Sequence, residues 1–399
     1  MTEDTRKPGP ATRAVHAGEA RQAWADALVT PIAQTSTYVF ESTEALVRYR
    51  EGEIQHAEYG RYENPTVRAV EAKLADLEGA GDALLTGNGM AAILVVVLSM
   101  LGREGHVLLA RDIYPGTRAL FDQLLPKFGI RATIFDPLDL DKAATLVEPA
   151  TKLLILEAPS NPHLQVADLR AVAAFAKAHR IRSVVDATLA SPALLRPLEF
   201  GIDLVLHSAT KYLAGHHDLL AGCVAGAAPF IEALRQTRGL IGATLGPQDA
   251  WLLDRGLKTL PLRMARHSEN GRLLAARLAA DPRVAAVFYP GLEDDPAARA
   301  RAAAYLPDGA GGVVGLRPKG GLAATRRFVD SLQLIRHAGS LGGVESLVQV
   351  PSLFSFHGAS AETMAERGIE VDFIRLAFGI EDVDDLWADL DRGLTAAAG

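Results

Sequence analysis

Apolar positions along the chain change their spacing near residue 64. Val67, Val70, Leu74 and Leu77 recur at helical spacing, which predicts an amphipathic helix beginning at Pro65. Asn64 is suited to cap it, Pro65 to open it and Gly79 to end it. The first 60 residues show no such period and mix Pro, Gly, Thr and aromatic residues, as in Thr30-Pro31-Ile32 and Thr37-Tyr38-Val39-Phe40, so they read as an arm. From 82 to 226, short apolar runs at 83–86, 107–110, 153–157, 183–186 and 204–207 alternate with helical patterns. Buried strands alternating with helices predict an α/β fold with a mostly parallel central sheet. Such sheets hold ligands at the carboxyl ends of their strands. The polar residues that follow or end these runs include Asn88, Tyr114, Asn161, Asp186, Ser208 and Lys211.

Helical patterns continue at 247–259 and 261–280, where Asp281-Pro282 breaks them, and a last helix places Val383, Leu386, Leu390 and Leu394 on one face. No internal repeat is present, and the alanine-rich stretch 297–304 is explained by helix propensity. The expected division is an arm over 1–62, an α/β domain over 63–258 and a smaller α+β domain over 259–399.

A chain of 399 residues with 49% apolar and 22% charged positions can bury a sizeable core. Its net charge of −7 gives no electrostatic reason to expect nucleic acid or an anionic membrane, so small-molecule chemistry is expected. Cys223 is the only cysteine, which rules out an intrachain disulfide and a cysteine-based metal site and fits a reducing compartment. The longest apolar run, 91–101, is too short to span a bilayer, and residues 1–10 lack the apolar stretch of a secretory signal; a cytoplasmic protein is expected.

Candidate chemistry concentrates at strand ends. Lys211 lies in Ser208-Ala209-Thr210-Lys211-Tyr212, directly after the run at 204–207. A lysine that forms a Schiff base must be partly desolvated so that its amine can be neutral, and neighbouring hydroxyls can bind a cofactor phosphate. An isolated lysine is ordinarily a solvated surface residue, and a strand-end aspartate such as Asp186 ordinarily a cap. Together at one sheet edge they suit a cofactor whose ring nitrogen is kept protonated by a carboxylate. Gly87-Asn88-Gly89-Met90-Ala91-Ala92, between a strand and a helix, forms an anion site, where glycines allow close approach and the helix start presents free N–H groups. Gly87, Gly89 and Ala92 also fit a dinucleotide fingerprint with Asp112 after the next strand, so an NAD-dependent oxidoreductase is a rival reading that leaves Lys211, Asp186 and Arg375 unexplained. His216 and His217 lack a third ligand at recognisable spacing, and no metal is expected. Cys223, beside Gly222 in a run of small residues, reads as an inert packed thiol.

Four separated segments carry a resemblance over nearly the whole chain: Tyr59-Gly60-Arg61-Tyr62-Glu63-Asn64-Pro65-Thr66, the segment around Lys211, Ser340-Leu341-Gly342-Gly343-Val344-Glu345-Ser346, and Arg375-Leu376-Ala377-Phe378-Gly379-Ile380-Glu381. Through them the chain resembles the cysteine and methionine metabolism family of pyridoxal-phosphate enzymes, which includes cystathionine γ-synthase, γ-lyase and β-lyase and methionine γ-lyase. The resemblance implies the fold of the aspartate aminotransferase class and pyridoxal 5′-phosphate as cofactor. It implies Lys211 as the Schiff-base lysine, Asp186 as the pyridinium partner and Tyr114 as the ring-stacking residue that can assist proton transfer. Gly89, Met90, Ser208 and Thr210 would bind the phosphate from within the subunit, and Tyr59 and Arg61 from a neighbouring one. Asn161, Ser340 and Arg375 would hold the carboxylate of an amino-acid substrate, a task suited to a planar guanidinium. A homo-oligomer follows, expected to be a tetramer built from dimers that share active sites.

Within the family, the sequence departs from the common pattern at several places. Gly60 stands where Ser or Thr is common, Asn88 where Ser is, and Ala187 where Asn often follows the aspartate. Gly116 stands where methionine γ-lyases carry a cysteine, and Gly339 where many γ-synthases and γ-lyases carry a glutamate. The segment Gly215-His216-His217-Asp218 is similar to one in some γ-synthases. The expected reaction is γ-replacement or γ-elimination on a sulfur amino acid or an activated homoserine. A β-lyase or methionine γ-lyase type of C–S cleavage is the alternative, and a catalytically silent binding protein on the same fold is a third possibility.

Overall fold

A computed structural model describes residues 8–19, 26–366 and 368–399. Two sheets organise it. The larger is built from β1 (Asp82–Thr86), β2 (His106–Ala110), β3 (Arg131–Phe135), β4 (Thr151–Glu157), β5 (Arg182–Asp186), β6 (Leu204–His207) and β7 (Gly222–Gly226), in the order β1-β7-β6-β5-β4-β2-β3. From β6 to β3 all neighbours pair in parallel, and β7 runs antiparallel to both β6 and β1. Helices link the parallel strands and two apolar clusters lie against the sheet, which is why these strands are buried on both faces rather than alternating.

The helix Pro65–Glu78 follows its capping signals: the Asn64 side chain accepts from the N–H groups of Thr66 and Val67, and Gly79 closes it with a φ of 68°. Five strands coincide with the apolar runs of the sequence to within two residues. The other two lack that signature. β7, Gly-Cys-Val-Ala-Gly, is built from small residues because its neighbours leave no room: a Cβ on Gly226 would lie 2.6 Å from Leu204 Cδ2, and one on Gly222 would collide with the Asn88 carbonyl. β3 is an edge strand that opens on an exposed arginine, and only its last residue is fully buried. The Cys223 thiol is fully buried within β7, and burial pushes its pKa well above the ordinary thiol range.

The second sheet contains β8 (Val284–Phe288), β9 (Val313–Pro318), β10 (Arg336–His337), β11 (Leu347–Gln349) and β12 (Ile374–Ala377), in the order β10-β11-β12-β9-β8. The closing helix Val383–Ala398 buries Leu386, Leu390 and Leu394 completely. Each such leucine contributes roughly 1.5–3 kcal/mol relative to leaving it in water. Part of the expected arm, residues 1–7 and 20–25, lies outside the described residues. The rest holds two short helices that the apolar pattern does not mark, Pro10–His16 and Thr43–Arg50. The second, capped by Ser42, buries no residue of its own, so its sequence carries no apolar stripe to read. No helix among the described residues is long and apolar enough to cross a membrane.

Candidate active site

A cavity of about 330 Å3 opens at the carboxyl edge of the larger sheet. Its lining includes Gly89, Met90, Tyr114, Asn161, Asp186, Ser208, Thr210, Lys211, Ser340 and Arg375, so ten of the twelve site residues expected from sequence meet there. Tyr59 and Arg61 do not. Arg61 instead donates to the Gly239 carbonyl at 2.6 Å and stacks over the Tyr62 ring, while Tyr59 is exposed.

Lys211 follows β6 through a short turn, its N–H bonded to the Ser208 carbonyl. Its amine donates to the Ser340 hydroxyl at 2.7 Å. Burial lowers its pKa to about 8, and the nearby Arg375 charge acts in the same direction, so roughly a tenth of the amine is neutral at pH 7. Ser340 holds this contact from a backbone φ of 104°, a conformation that costs a non-glycine residue about 1–3 kcal/mol and persists only where the surroundings impose it.

Asp186 ends β5. One of its oxygens accepts from both the N–H and the hydroxyl of Thr188, at 2.9 and 2.5 Å. Burial raises its pKa, and the Thr188 bonds and the charge of His207 oppose that rise. The Thr188 hydroxyl also accepts from the Ser208 N–H at 2.8 Å, tying the end of β5 to the turn that carries Lys211.

The helix Gly89–Met100 starts against the same turn. Asn88 caps it by accepting from the Ala91 N–H, leaving Gly89 and Met90 to line the cavity with their first-turn N–H groups. A Cβ on Gly89 would lie 2.9 Å from the Ser208 Cβ, so the glycine is what allows these two backbones to meet. Thr210 is fixed by paired bonds with the Ala221 backbone at 3.2 and 3.0 Å. Helix-start N–H groups with the Ser208 hydroxyl form a donor set suited to a phosphate, whereas the Thr210 hydroxyl already donates to the Ala221 carbonyl.

Arg375 lies on β12, directly opposite Gln349 of β11. Its guanidinium donates to Gln349 Oε1 at 2.5 Å, to the Ser340 carbonyl at 3.0 Å and to Asn161 Oδ1 at 3.3 Å, and its Nε is buried without a partner among the described residues. Burial lowers its pKa to about 10, which leaves it charged at neutral pH. A buried guanidinium bonded only to neutral acceptors is an incomplete ion pair, ready for a ligand carboxylate.

Sequence reasoning did not single out Gln349, Thr188 or Glu157. Glu157 ends β4 and is 4% exposed; its Oε1 accepts from the Tyr114 N–H at 2.7 Å. Its position at the end of an apolar run was the available signal. Asp112, the acid of the dinucleotide alternative, is instead bonded by the Ser160 hydroxyl at 2.5 Å and by His163 Nδ1 at 3.2 Å.

The parts fit a phosphorylated aldehyde cofactor: a desolvated amine, a carboxylate at the sheet edge, an aromatic ring and a phosphate cradle. A buried cation for a carboxylate beside them defines the class as cofactor-dependent enzymes acting on amino acids. Residues 11–395 match the Cys/Met metabolism PLP-dependent enzyme family, and the chain belongs to it. It is 40% identical over 401 residues to an L-methionine gamma-lyase of Pseudomonas putida, covering 100% of both chains. It is 38% identical over 387 residues to a cystathionine beta-lyase of Lactococcus lactis, covering 96% of this chain and 98% of the relative. The structure of a cystathionine gamma synthase from Xanthomonas oryzae pv. oryzae, in complex with aminoacrylate and cysteine, is similar with a TM-score of 0.91 at 37% identity, covering 98% of this chain and 99% of that one. The protein is therefore a pyridoxal-phosphate-dependent enzyme, and the NAD-dependent reading is set aside.

Proposed function

We propose that the protein catalyses γ-replacement or γ-elimination on a sulfur amino acid or an activated homoserine. The observation that carries this reading is the convergence of Lys211, Asp186 and Arg375 on one cavity. Bound pyridoxal phosphate supplies an aldehyde carbon for covalent attachment and a ring that takes up the electron pair left at the substrate Cα. Gly89, Met90, Ser208 and Thr210 would hold its phosphate, Asp186 its ring nitrogen and Tyr114 its ring face. Arg375, steadied by Gln349 and Asn161, grips the substrate carboxylate and so fixes which bond at Cα is presented to Lys211.

Once the substrate amine has displaced Lys211, the freed amine removes the Cα proton. Its depressed pKa leaves it able to accept that proton, and Ser340 Oγ steers it. In γ chemistry the Lys211 amine would hand that proton on to the bound cofactor and, neutral again, take a second one from Cβ, so that the γ-substituent could depart with its bonding electrons. A thiol then adds, or water completes elimination to a 2-oxo acid and ammonia. Cleavage at Cβ needs only the first proton transfer.

A second reading, C–S cleavage of the β-lyase or methionine γ-lyase kind, is favoured by Gly339. A Cβ there would lie 2.8 Å from the Phe354 ring, so an acidic side chain does not fit as the ring stands. Against the methionine γ-lyase form, a Cβ on Gly116 would collide with the Tyr114 ring, so a cysteine does not fit as the ring stands. Cystathionine, methionine and activated homoserine esters supplied separately test the two readings. Formation of 2-oxobutyrate from cystathionine or an activated homoserine ester, or of a γ-replacement product, supports the first; 2-oxobutyrate with methanethiol from methionine, or pyruvate with homocysteine from cystathionine, supports the second. Loss of the substrate amine without either outcome overturns both.

Tyr59 and Arg61, outside the cavity of their own chain, are proposed to reach the phosphate of a neighbouring subunit, in a tetramer built from dimers. Mixing R61A with K211A subunits is expected to restore activity; no recovery after verified subunit exchange would refute the sharing. We also propose the arm, larger and smaller domains over 1–62, 63–258 and 259–399. A cytoplasmic location is proposed from the single unpaired cysteine.

A further inference from the structure

β4 ends in Glu157 and β5 in Asp186, and the two are paired in register on parallel neighbours. Register puts their side chains on one face, and both residues line the cavity. Their partners differ. Asp186 accepts two bonds from Thr188, whereas Glu157 accepts the Tyr114 N–H through Oε1 and its Oε2 is buried with no partner among the described residues. Two buried carboxyls side by side cannot both ionise at neutral pH without a bonded cation. Burial first, and then the charge of Asp186, raise the pKa of Glu157 well above the usual carboxylate range. Asp112 adds to this rise, and the N–H groups of Tyr114 and Asn161 oppose it. On the other side of the pair, the charge of His207 on β6 favours ionised Asp186, and Arg375 on β12 lies within electrostatic reach of Glu157.

We propose that Glu157 is a positioning residue of this site: its Oε1 anchors the Tyr114 backbone at the cavity, and its second oxygen is carried as a neutral acid that leaves the charge of the pair on Asp186. The proposal rests on the reading of Asp186 and Tyr114 as cofactor contacts. It separates two properties of the side chain, its reach and its charge. Glutamine keeps the reach and the neutrality, alanine keeps neither the anchor nor the bulk, and aspartate keeps an acid but withdraws it from Tyr114.

The test compares holoenzyme with E157Q, E157A and E157D. The readouts are cofactor dissociation by equilibrium dialysis, the pH dependence of the bound cofactor's absorption, kcat and KM, with circular dichroism to confirm folding. E157Q is expected to stay within about twofold of the parent in every readout, while E157A and E157D lose about tenfold or more in kcat/KM and bind cofactor more weakly. E157Q failing as far as E157A would show that an ionised carboxylate is required and overturn the proposal, as would E157D retaining parental behaviour. Borohydride reduction and peptide mapping of the parent separate the two levels. Missing cofactor at Lys211 overturns the underlying reading and the inference together; cofactor at Lys211 with a defective, folded E157Q overturns the inference alone.

Discussion

Lys211 and Ser340 lie in connections of different sheets, yet the amine of one donates to the hydroxyl of the other at 2.7 Å. Lys211 leaves β6 of the larger sheet, and Ser340 lies between β10 and β11 of the smaller. The bond therefore forms only when the two sheets are docked, and it holds the amine away from solvent. Lysine placement is thus a property of the whole chain rather than of its local segment.

Replacing the amine removes the attachment point and the base together. K211A is expected to lose activity by about 10^4-fold or more while keeping its fold, checked by turnover and circular dichroism side by side. Activity near the parental rate would refute the assigned role.

Cofactor attachment to cofactor-free protein requires the neutral amine. With a pKa of about 8, the attachment rate should climb about tenfold per pH unit below that value and level off above it, measured by stopped-flow absorbance. Stability follows the same linkage with a defined sign. Between about 8 and the ordinary 10.5 the unfolded chain binds a proton that the folded one does not, so this residue's contribution to stability rises with pH across that window. K211M should flatten that rise in urea midpoints.

At the carboxylate site, R375K keeps a positive charge but loses the planar fork and the three acceptors around it. KM for an amino-acid substrate should increase by about tenfold to a hundredfold, from a loss of roughly 1.5–3 kcal/mol for a charged hydrogen bond. Steady-state kinetics with one substrate suffice to check it.

The phosphate cradle can be probed with a single methyl group. G89A drives a Cβ toward Ser208, whereas G102A places one in open space. Equilibrium dialysis should show weaker cofactor binding in G89A and parental binding in G102A, with both proteins folded.

Away from the cavity, buried Glu71 bonds Arg68 at 2.6 Å, Arg235 at 2.7 Å and Arg238 at 3.0 Å, and accepts the Leu85 N–H at 2.9 Å. E71A leaves buried Arg238 with carbonyl partners only, while Arg235 keeps Asp82 at 2.7 Å, and should cost about 3–5 kcal/mol, read as a lower midpoint in urea unfolding.

What could be read from sequence follows from how each element is stabilised. β4 and β6 are marked by continuous apolar runs because both of their faces are covered. β7 is defined by the space its neighbours leave, and that is a tertiary property no local pattern encodes. Among site residues, Lys211 and Asp186 stand out because strand ends concentrate chemistry. Gln349 matters only because β11 lies against β12 and brings it to Arg375, and Glu157 only because β4 lies beside β5. Partners brought together by sheet pairing are invisible until the strand order is known.

The sequestered thiol of Cys223 has a practical consequence. A chain whose only sulfhydryl is walled inside a strand and held protonated offers thiol-directed reagents nothing to attack while it remains folded. A cysteine placed at exposed position 102 would then be the sole reactive handle, and a fluorophore there would report on the native molecule without any prior removal of sulfur.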